Sequence, residues 1–409
     1  MASQTLTDEV KRYGRAATHD FRSDTVTLTT PAMLSSIITQ CPYFGDDIFT
    51  EDAPTTSLES YVAELTGLPH ALFISSGTMG NQLALRSLLK QPPHSVVLDR
   101  HSHTFEHEAG MASMFSQAQL IPISKNLSAG PAYLTLTDIA ANIVPDDGDT
   151  HSAPTRIIAL ENTHNGKIMP VSEVQRISEF ARKHGIKLHM DGARLWNACY
   201  PPSTTTTTTA SPAEEASATA LSLLRAYCSL VDTVTLCFSK SLGAPAGSIL
   251  LSNSAETIAR ARHFRKAMGG GMRQVGVLSA AARVAVEEVF VAGAPMVRAN
   301  RIAREVEGSW VGMGGKVVEG LGQETNMVWL DLGAAGVEGG EFVRLCGEEG
   351  VKVTEWGRVV VHYQISDEAV EALKRALKRA IELGKTRGGL GAEGEVKKNG
   401  LYSYSSGTK

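Results

Sequence analysis

The chain has 409 residues, 43% hydrophobic and 20% charged, with a formal net charge of -4. That size suits one large core with a smaller lobe, and the mildly negative charge leaves no global electrostatic case for nucleic acid or an anionic membrane surface. Five scattered cysteines, Cys41, Cys199, Cys228, Cys237 and Cys346, lack any CxxC spacing, so neither a disulfide framework nor a zinc site is expected. The N-terminus carries no signal-peptide core, no run reaches the length of a membrane span, and the ending SSGTK is not a peroxisomal address. The expectation is a cytoplasmic protein in a reducing compartment.

In chain order, residues 1–19 read as a polar, flexible arm, and order is expected from Asp20. Arg22, Ser23, Asp24, Thr25 and Thr27 follow without a helical period, a turn-rich segment on its own terms. Thr56 or Ser57 can cap an amphipathic helix through Leu65, which Gly67 and Pro69 end, and Ala71 to Ile74 read as a short buried strand. SSGTMGN comes next and runs directly into the helical QLALRSLL. A strand, a small-residue turn and a helix start place N–H groups and the hydroxyls of Ser75, Ser76 and Thr78 where an anion can sit. The pattern is neither a Walker loop nor a dinucleotide fingerprint.

Ser95 to Asp99 form another strand, emptying into RHSHTFEHEAG with His101, His103 and His107. The spacing is not HExxH, so surface histidines or one imidazole used as a flat stacking surface take precedence over a metal. From Thr155 a strand-loop-helix-strand rhythm sets in: strand 157–160, helix 172–184, strand 186–190. The strands end in Glu161-Asn162-Thr163-His164 and Asp191-Gly192-Ala193-Arg194. That alternation predicts right-handed βαβ units and a mainly parallel α/β sheet, with ligands beyond the carboxyl ends of its strands. Residues 201–218 are a low-complexity Thr/Ser/Pro/Ala insertion, expected to be exposed.

Val231 to Phe238 then deliver Ser239 and Lys240 into a loop of Gly243, Ala244, Pro245 and Gly247. A lysine ending a strand is commonly just solvated; held at the edge of a dry cleft, it becomes a nucleophile able to form a Schiff base. Lys266 and Arg273 flank the glycines 269–271, where a flexible break can bring two cations to an anion. The large domain is expected over 20–293. A small α+β domain is expected over 294–384, with a long helix, three strands, Arg358 opening the last, and a closing helix; a disordered tail follows over 385–409.

Four strand ends thus offer an anion cup (Ser76, Gly77, Thr78), a flat imidazole (His103), a carboxylate followed by a guanidinium (Asp191, Arg194), and an amine (Lys240). That set matches the needs of pyridoxal 5'-phosphate (PLP): donors for the phosphate, a lysine for the aldehyde, and a carboxylate to keep the ring nitrogen protonated. The segments FRSDTVT, GDDIFTEDAPTTSLE, SSGTMGNQLAL, LENTHNG, LHMDGARLWNA, CFSKSLGAPAGS and RKAMGGGMRQVG, in that order, resemble motifs of the PLP-dependent threonine aldolases of the low-specificity or L-allo kind, fungal members especially.

The resemblance implies the fold-type I architecture, a mainly parallel seven-stranded sheet flanked by helices plus the small C-terminal domain. It further implies that Lys240 forms the Schiff base, with Ser239 beside it, that His103 stacks on the ring, and that Asp191 pairs with the ring nitrogen. Ser76, Gly77 and Thr78 would hold the phosphate, with Lys266 and Arg273 near it from the same or a neighbouring subunit of a homodimer or homotetramer. Ser23, Arg194 and Arg358 would bind the carboxylate of a small amino-acid substrate. The implied reaction is retro-aldol cleavage of L-threonine or L-allo-threonine to glycine and acetaldehyde. A base that titrates near neutral pH takes the β-hydroxyl proton, and His164, directly or through water with His103, is the candidate; the competing reading of His164 is a loop histidine that only shapes the pocket. Phe49-Thr50, Met111 and Ser241 depart from the family pattern. Two alternatives stand beside the aldolase: an alanine racemase on the same scaffold, using Lys240 and one of His103, His164 or Tyr43, and a non-catalytic PLP-binding protein.

Overall fold

The computed structural model describes residues 17–125, 130–200 and 212–387. Its centre is a seven-stranded sheet built from β1 (His70–Ile74), β2 (Ser95–Asp99), β3 (Gln119–Ile123), β4 (Thr155–Glu161), β5 (Lys187–Gly192), β6 (Thr233–Cys237) and β7 (Ser248–Ser252), in the order β1-β7-β6-β5-β4-β2-β3. From β6 through β5, β4 and β2 to β3 every pairing is parallel; β7 runs antiparallel to both β6 and β1. β3 and β7 have no counterpart among the strands expected from the sequence. β7 is short and follows the glycine loop after Lys240 directly, where turn signals mask three apolar residues, Ile249 to Leu251, between two serines.

Helices cover both faces, which is what a parallel sheet requires. Alternate residues divide between them: Leu72, Ile74 and Leu250 meet α3 (Gly77–Leu88) and α6 (Ala255–Ala267), while Phe73, Ile249 and Leu251 join the main core on the other side. That core is closed by α1 (Pro31–Gln40), α2 (Ala53–Thr66), α4 (Val171–Lys183), α5 (Pro212–Ser229) and α7 (Gly276–Ala285). Two local expectations are corrected. Helix α2 starts earlier than Thr56 or Ser57, because Asp52 caps it by accepting from Thr55 N at 3.1 Å. Of the run 201–218, residues 212–218 belong to α5, where Ala216 is buried; 201–211 lie outside the described residues.

A second, three-stranded antiparallel sheet, β10 (Arg358–Val360), β9 (Met327–Asp331) and β8 (Lys316–Val317), packs with α8 (Ala294–Gly312), α9 (Gly339–Glu348) and α10 (Asp367–Thr386) around its own apolar cluster. Residues 17–19, expected in a flexible arm, are tied into this unit instead. Phe21 N donates to Lys352 O at 2.8 Å, Lys352 N to His19 O at 2.9 Å and Val360 N to Phe21 O at 2.9 Å, and the Phe21 ring is wholly buried in the second cluster. The rest of the arm and the tail beyond 387 lie outside the described residues.

Candidate active site

The carboxyl ends of β2, β4, β5 and β6, and of β1, whose direction matches theirs through β7, open on one edge of the sheet. A cavity of about 850 Å³ lies there, lined by His103, Glu161, Asp191, Arg194 and Lys240 from the large sheet, by Ser23, and by Arg358 from the small unit. Lys240 arrives on the loop after β6. Gly243 N and the Thr27 hydroxyl each donate to its carbonyl at 2.9 Å, and Gly243 holds φ +80°, where a Cβ would lie 2.6 Å from the Tyr363 hydroxyl.

Asp191 ends β5 directly opposite Glu161 of β4. One carboxylate oxygen accepts from Ala193 N at 3.0 Å, the other from Asn81 Nδ2 at 2.7 Å. Burial pushes its pKa up and the facing Glu161 adds to the push, while the Lys240 amine opposes it. His103 lines the cavity with its ring held from Nδ1 by Glu108 Oε1 at 2.9 Å and its backbone N–H on Glu161 Oε2 at 2.7 Å. The Glu108 bond raises the imidazole pKa more than burial lowers it.

Arg194 grips Asp24 bidentately, Nε to Oδ2 at 2.9 Å and Nη2 to Oδ1 at 2.6 Å, and the Ser241 hydroxyl donates to the same carboxylate at 2.8 Å. Burial alone would raise the Asp24 pKa, but Arg194, Lys240 and Ser241 together hold it well below the usual carboxylate range. Arg358 stands across the cavity, its guanidinium 5.7 Å from the Trp356 ring centroid and 6.0 Å from that of Trp329.

Ser76, Gly77 and Thr78 form the start of α3 at the same edge but do not line this cavity. The Ser76 hydroxyl accepts from Met79 N at 3.2 Å and its carbonyl from Gly80 N at 3.1 Å, which leaves the N–H groups of Gly77 and Thr78 without a partner among the described residues. Ser239, Lys266 and Arg273 also lie off the cavity; Arg273 pairs with Asp46 at 2.8 Å on an exposed surface.

The expectation for His164 is corrected. It lies behind the cavity wall, in a small void beside Tyr133 and Met169, with Nδ1 3.4 Å from Glu161 and Nε2 3.9 Å from Asp99. Burial alone would lower its pKa, but the facing Glu161 and Asp99 carboxylates outweigh it and raise it, and its place off the cavity keeps it from a substrate hydroxyl there. Sequence reasoning missed Asn81, Glu108 and the place of His107 on the cavity wall. The first two sit inside helix and loop text with no motif of their own, and in the sequence His107 is one of three clustered histidines with nothing to single it out.

The residues fit PLP. An amine and a buried carboxylate face one cavity, a flat imidazole stands beside them, and two unpartnered helix-start N–H groups lie at the same edge. His103, Glu108 and Asp191 also offer ligand atoms within 4.8 Å of one another. The bonds from Asn81 and His103 to these carboxylates account for that clustering without an ion.

Residues 20–332 match the model of the Beta-eliminating lyase family. The low-specificity L-threonine aldolase of Candida albicans is 39% identical over 366 residues, 89% of this chain and 90% of that protein. Aldolase vrtJ of Penicillium aethiopicum is 44% identical over 359 residues, 88% and 85% of the two chains, and alanine racemase TOXG of Cochliobolus carbonum is 38% identical over 87% and 85%. Among solved structures, the threonine aldolase of Leishmania major superposes with a TM-score of 0.68 at 18% identity, covering 90% of this chain and 99% of that one. A serine palmitoyltransferase determined with PLP gives 0.66 at 16% identity, covering 90% and 88%. A cavity built around Lys240 and Asp191, the family match and relatives aligned over most of their length lead to one assignment: the chain belongs to the β-eliminating lyase family, as a PLP-dependent enzyme of its threonine aldolase branch.

Proposed function

We propose that the protein is an aldolase that cleaves β-hydroxy-α-amino acids, L-threonine and L-allo-threonine among them, to glycine and an aldehyde. The observation that carries this reading is the convergence of Lys240, Asp191, Arg194 and Arg358 on one cavity. When bound, PLP supplies an aldehyde for the amine and an electron sink for the bond that breaks. Lys240 would anchor it, Asp191 would serve its ring nitrogen as the acid, and His103 would offer a flat surface to its ring. The N–H groups of Gly77 and Thr78, with Ser76, would hold its phosphate.

Arg358 and Arg194, with Ser23, bind the substrate carboxylate. A guanidinium fork matches a carboxylate in two bonds, which fixes the direction of the Cα–Cβ bond. Arg194 is fixed in turn by Asp24, so it offers a positioned cation rather than a mobile one. The proton of the β-hydroxyl passes to His107. This side chain lines the cavity, and burial together with the neighbouring His103 lowers its pKa, so its imidazole is neutral at pH 7 and ready to accept.

The same reading makes the active protein a homo-oligomer. Lys266 and Arg273 lie off their own chain's cavity, and Ile38, Tyr43, Phe49 and Val277 are exposed on the elements around them. Light scattering after size exclusion checks this; a monomer of full activity contradicts it. The five cysteines are unpaired thiols, which suits a reducing compartment.

The reaction is tested with the PLP-loaded protein on L-allo-threonine and on L-alanine. Aldehyde and glycine from the first support the aldolase. No aldehyde, with D-alanine from the second, supports a racemase, the activity named for one of the similar fungal proteins. Lys240→Ala is expected to lose the visible absorption of the bound cofactor and to slow turnover by on the order of 10³-fold or more; normal absorption in that variant contradicts the anchor.

A further inference from the structure

We propose that Asn81 is a positioning residue that joins two buried carboxylates, Asp191 in the cavity lining and Glu108 next to His103, and sets the hydrogen bonding of the acid that faces the ring nitrogen. This rests on the reading that Asp191 faces that nitrogen.

Asn81 lies in α3 and is 1% exposed. Its Nδ2 donates to Glu108 Oε1 at 2.8 Å and to Asp191 Oδ2 at 2.7 Å, so both N–H bonds of the amide are used on carboxylates. For nitrogen rather than oxygen to face two acids, the oxygen needs a donor on its other side. His189 Nε2, 3.1 Å from Asn81 Oδ1, supplies it. A neutral imidazole that donates from Nε2 must accept at Nδ1, and the Thr233 hydroxyl is 2.9 Å from that atom. Thr233 and His189 are register partners on β6 and β5. The chain of donors therefore runs one way: Thr233 hydroxyl to His189, His189 to Asn81, Asn81 to both acids.

Asp191 lines the cavity itself, and Glu108 acts on it through His103. Glu108 also accepts from His103 Nδ1 at 2.9 Å, and its second oxygen from Gln82 at 2.5 Å. Asp191 has Ala193 N on its other oxygen. One amide thus ties the carboxylate facing the ring nitrogen to the carboxylate that orients the stacking imidazole. Asp191 is faced by Glu161 from β4, by Lys240 from beyond β6, and by Glu108 and His103. Two of these are acids that disfavour its ionised form, so a donor on Oδ2 has a definite direction: it favours the carboxylate. Burial holds His189 neutral, with its pKa pushed down to about 4, so the donor order does not change across neutral pH.

The test uses the PLP-loaded protein and reads the pH midpoint of the bound cofactor's visible absorption alongside kinetics. Asp191→Asn is the reference, Asn81→Ala the removal of both donors, and Thr233→Val an isosteric change that frees the His189 tautomer. The expected result is that Asn81→Ala moves the midpoint by at least about half a pH unit in the same direction as Asp191→Asn, and lowers kcat about tenfold with KM changed less than about twofold. Thr233→Val shifts the midpoint in the same direction by less, and carries the test if Asn81→Ala does not fold. A midpoint that moves in Asp191→Asn but stays put in the folded Asn81→Ala, or in Thr233→Val where that variant carries the test, overturns the role of Asn81 and leaves Asp191 in place. No shift in Asp191→Asn overturns the reading of Asp191 itself.

Discussion

Asp24 shows how a single buried charge is made tolerable. Its side chain is fully buried, and four donors serve it: two nitrogens of the Arg194 fork, the hydroxyl of Ser241 and, at 3.5 Å, Asn326 Nδ2. Removing one side of such a pair leaves the other charge unpaired in a poorly solvated place. Asp24→Asn is therefore expected to lose about 3 kcal/mol of unfolding free energy, read from urea titration, and to raise KM because Arg194 loses its fixed direction. Unchanged KM in a destabilised variant would separate the structural from the binding role. His189 makes a pH prediction. It is fully buried with a depressed pKa of about 4, so between about 4 and its ordinary 6.5 the unfolded chain binds a proton that the folded one refuses. Its contribution to stability is complete above 6.5 and is lost as pH falls toward 4, by about 3 kcal/mol in all. Denaturant midpoints at pH 7, 5.5 and 4.5 should show that slope, and His189→Gln should flatten it.

At the scale of elements, the start of α3 presses unusually close to the sheet. A Cβ on Gly77 would lie 2.8 Å from Cys237 Sγ, and one on Gly80 would lie 2.5 Å from Thr235 Cγ2 and 2.6 Å from Ile74 Cδ1. The glycines let the helix axis meet β6, with its first N–H groups at the carboxyl edge of the sheet. Gly80→Ala adds a methyl where side chains from two strands already stand, and about 1–3 kcal/mol of stability should go with it. The same change should weaken PLP binding, measured by equilibrium dialysis, because the helix start must shift outward. A stable variant with unchanged cofactor affinity would show that the close approach has no part in the site. Segments such as SSGTMGN and CFSKSLGAPAGS made the turns legible, since serine and glycine at a strand end restrict the chain locally. How near those turns come to one another depends on packing between strands far apart in sequence.

For the molecule as a whole, the N-terminal segment has a part that its polar composition concealed. Residues 17–21 pair with Lys352 and Val360, bury Phe21 in the second apolar cluster, and continue into Arg22 and Ser23 at the cavity. The small unit, the segment and the cavity wall are thus one connected piece. Phe21→Ala should cost about 3–5 kcal/mol through the void it leaves, and should lower affinity for the substrate carboxylate by loosening Ser23 and Arg358. A thermal melt with substrate titration checks both; loss of stability without loss of affinity would uncouple the segment from the site.

The sequence by itself determined what is local: the alternating strand and helix text behind a mainly parallel sheet, the strand ends bearing Asp191 and Lys240, and hence the cofactor. Tertiary structure decided which polar groups share a bond. Asn81 and Asp191 are 110 positions apart and Asp24 and Arg194 are 170 apart, with nothing periodic to link them. It also decided that His164, three residues beyond Glu161 in a loop that looked catalytic, faces the wrong side of the wall. Side-chain direction at a strand end depends on what packs behind it, and no spacing along the chain encodes that.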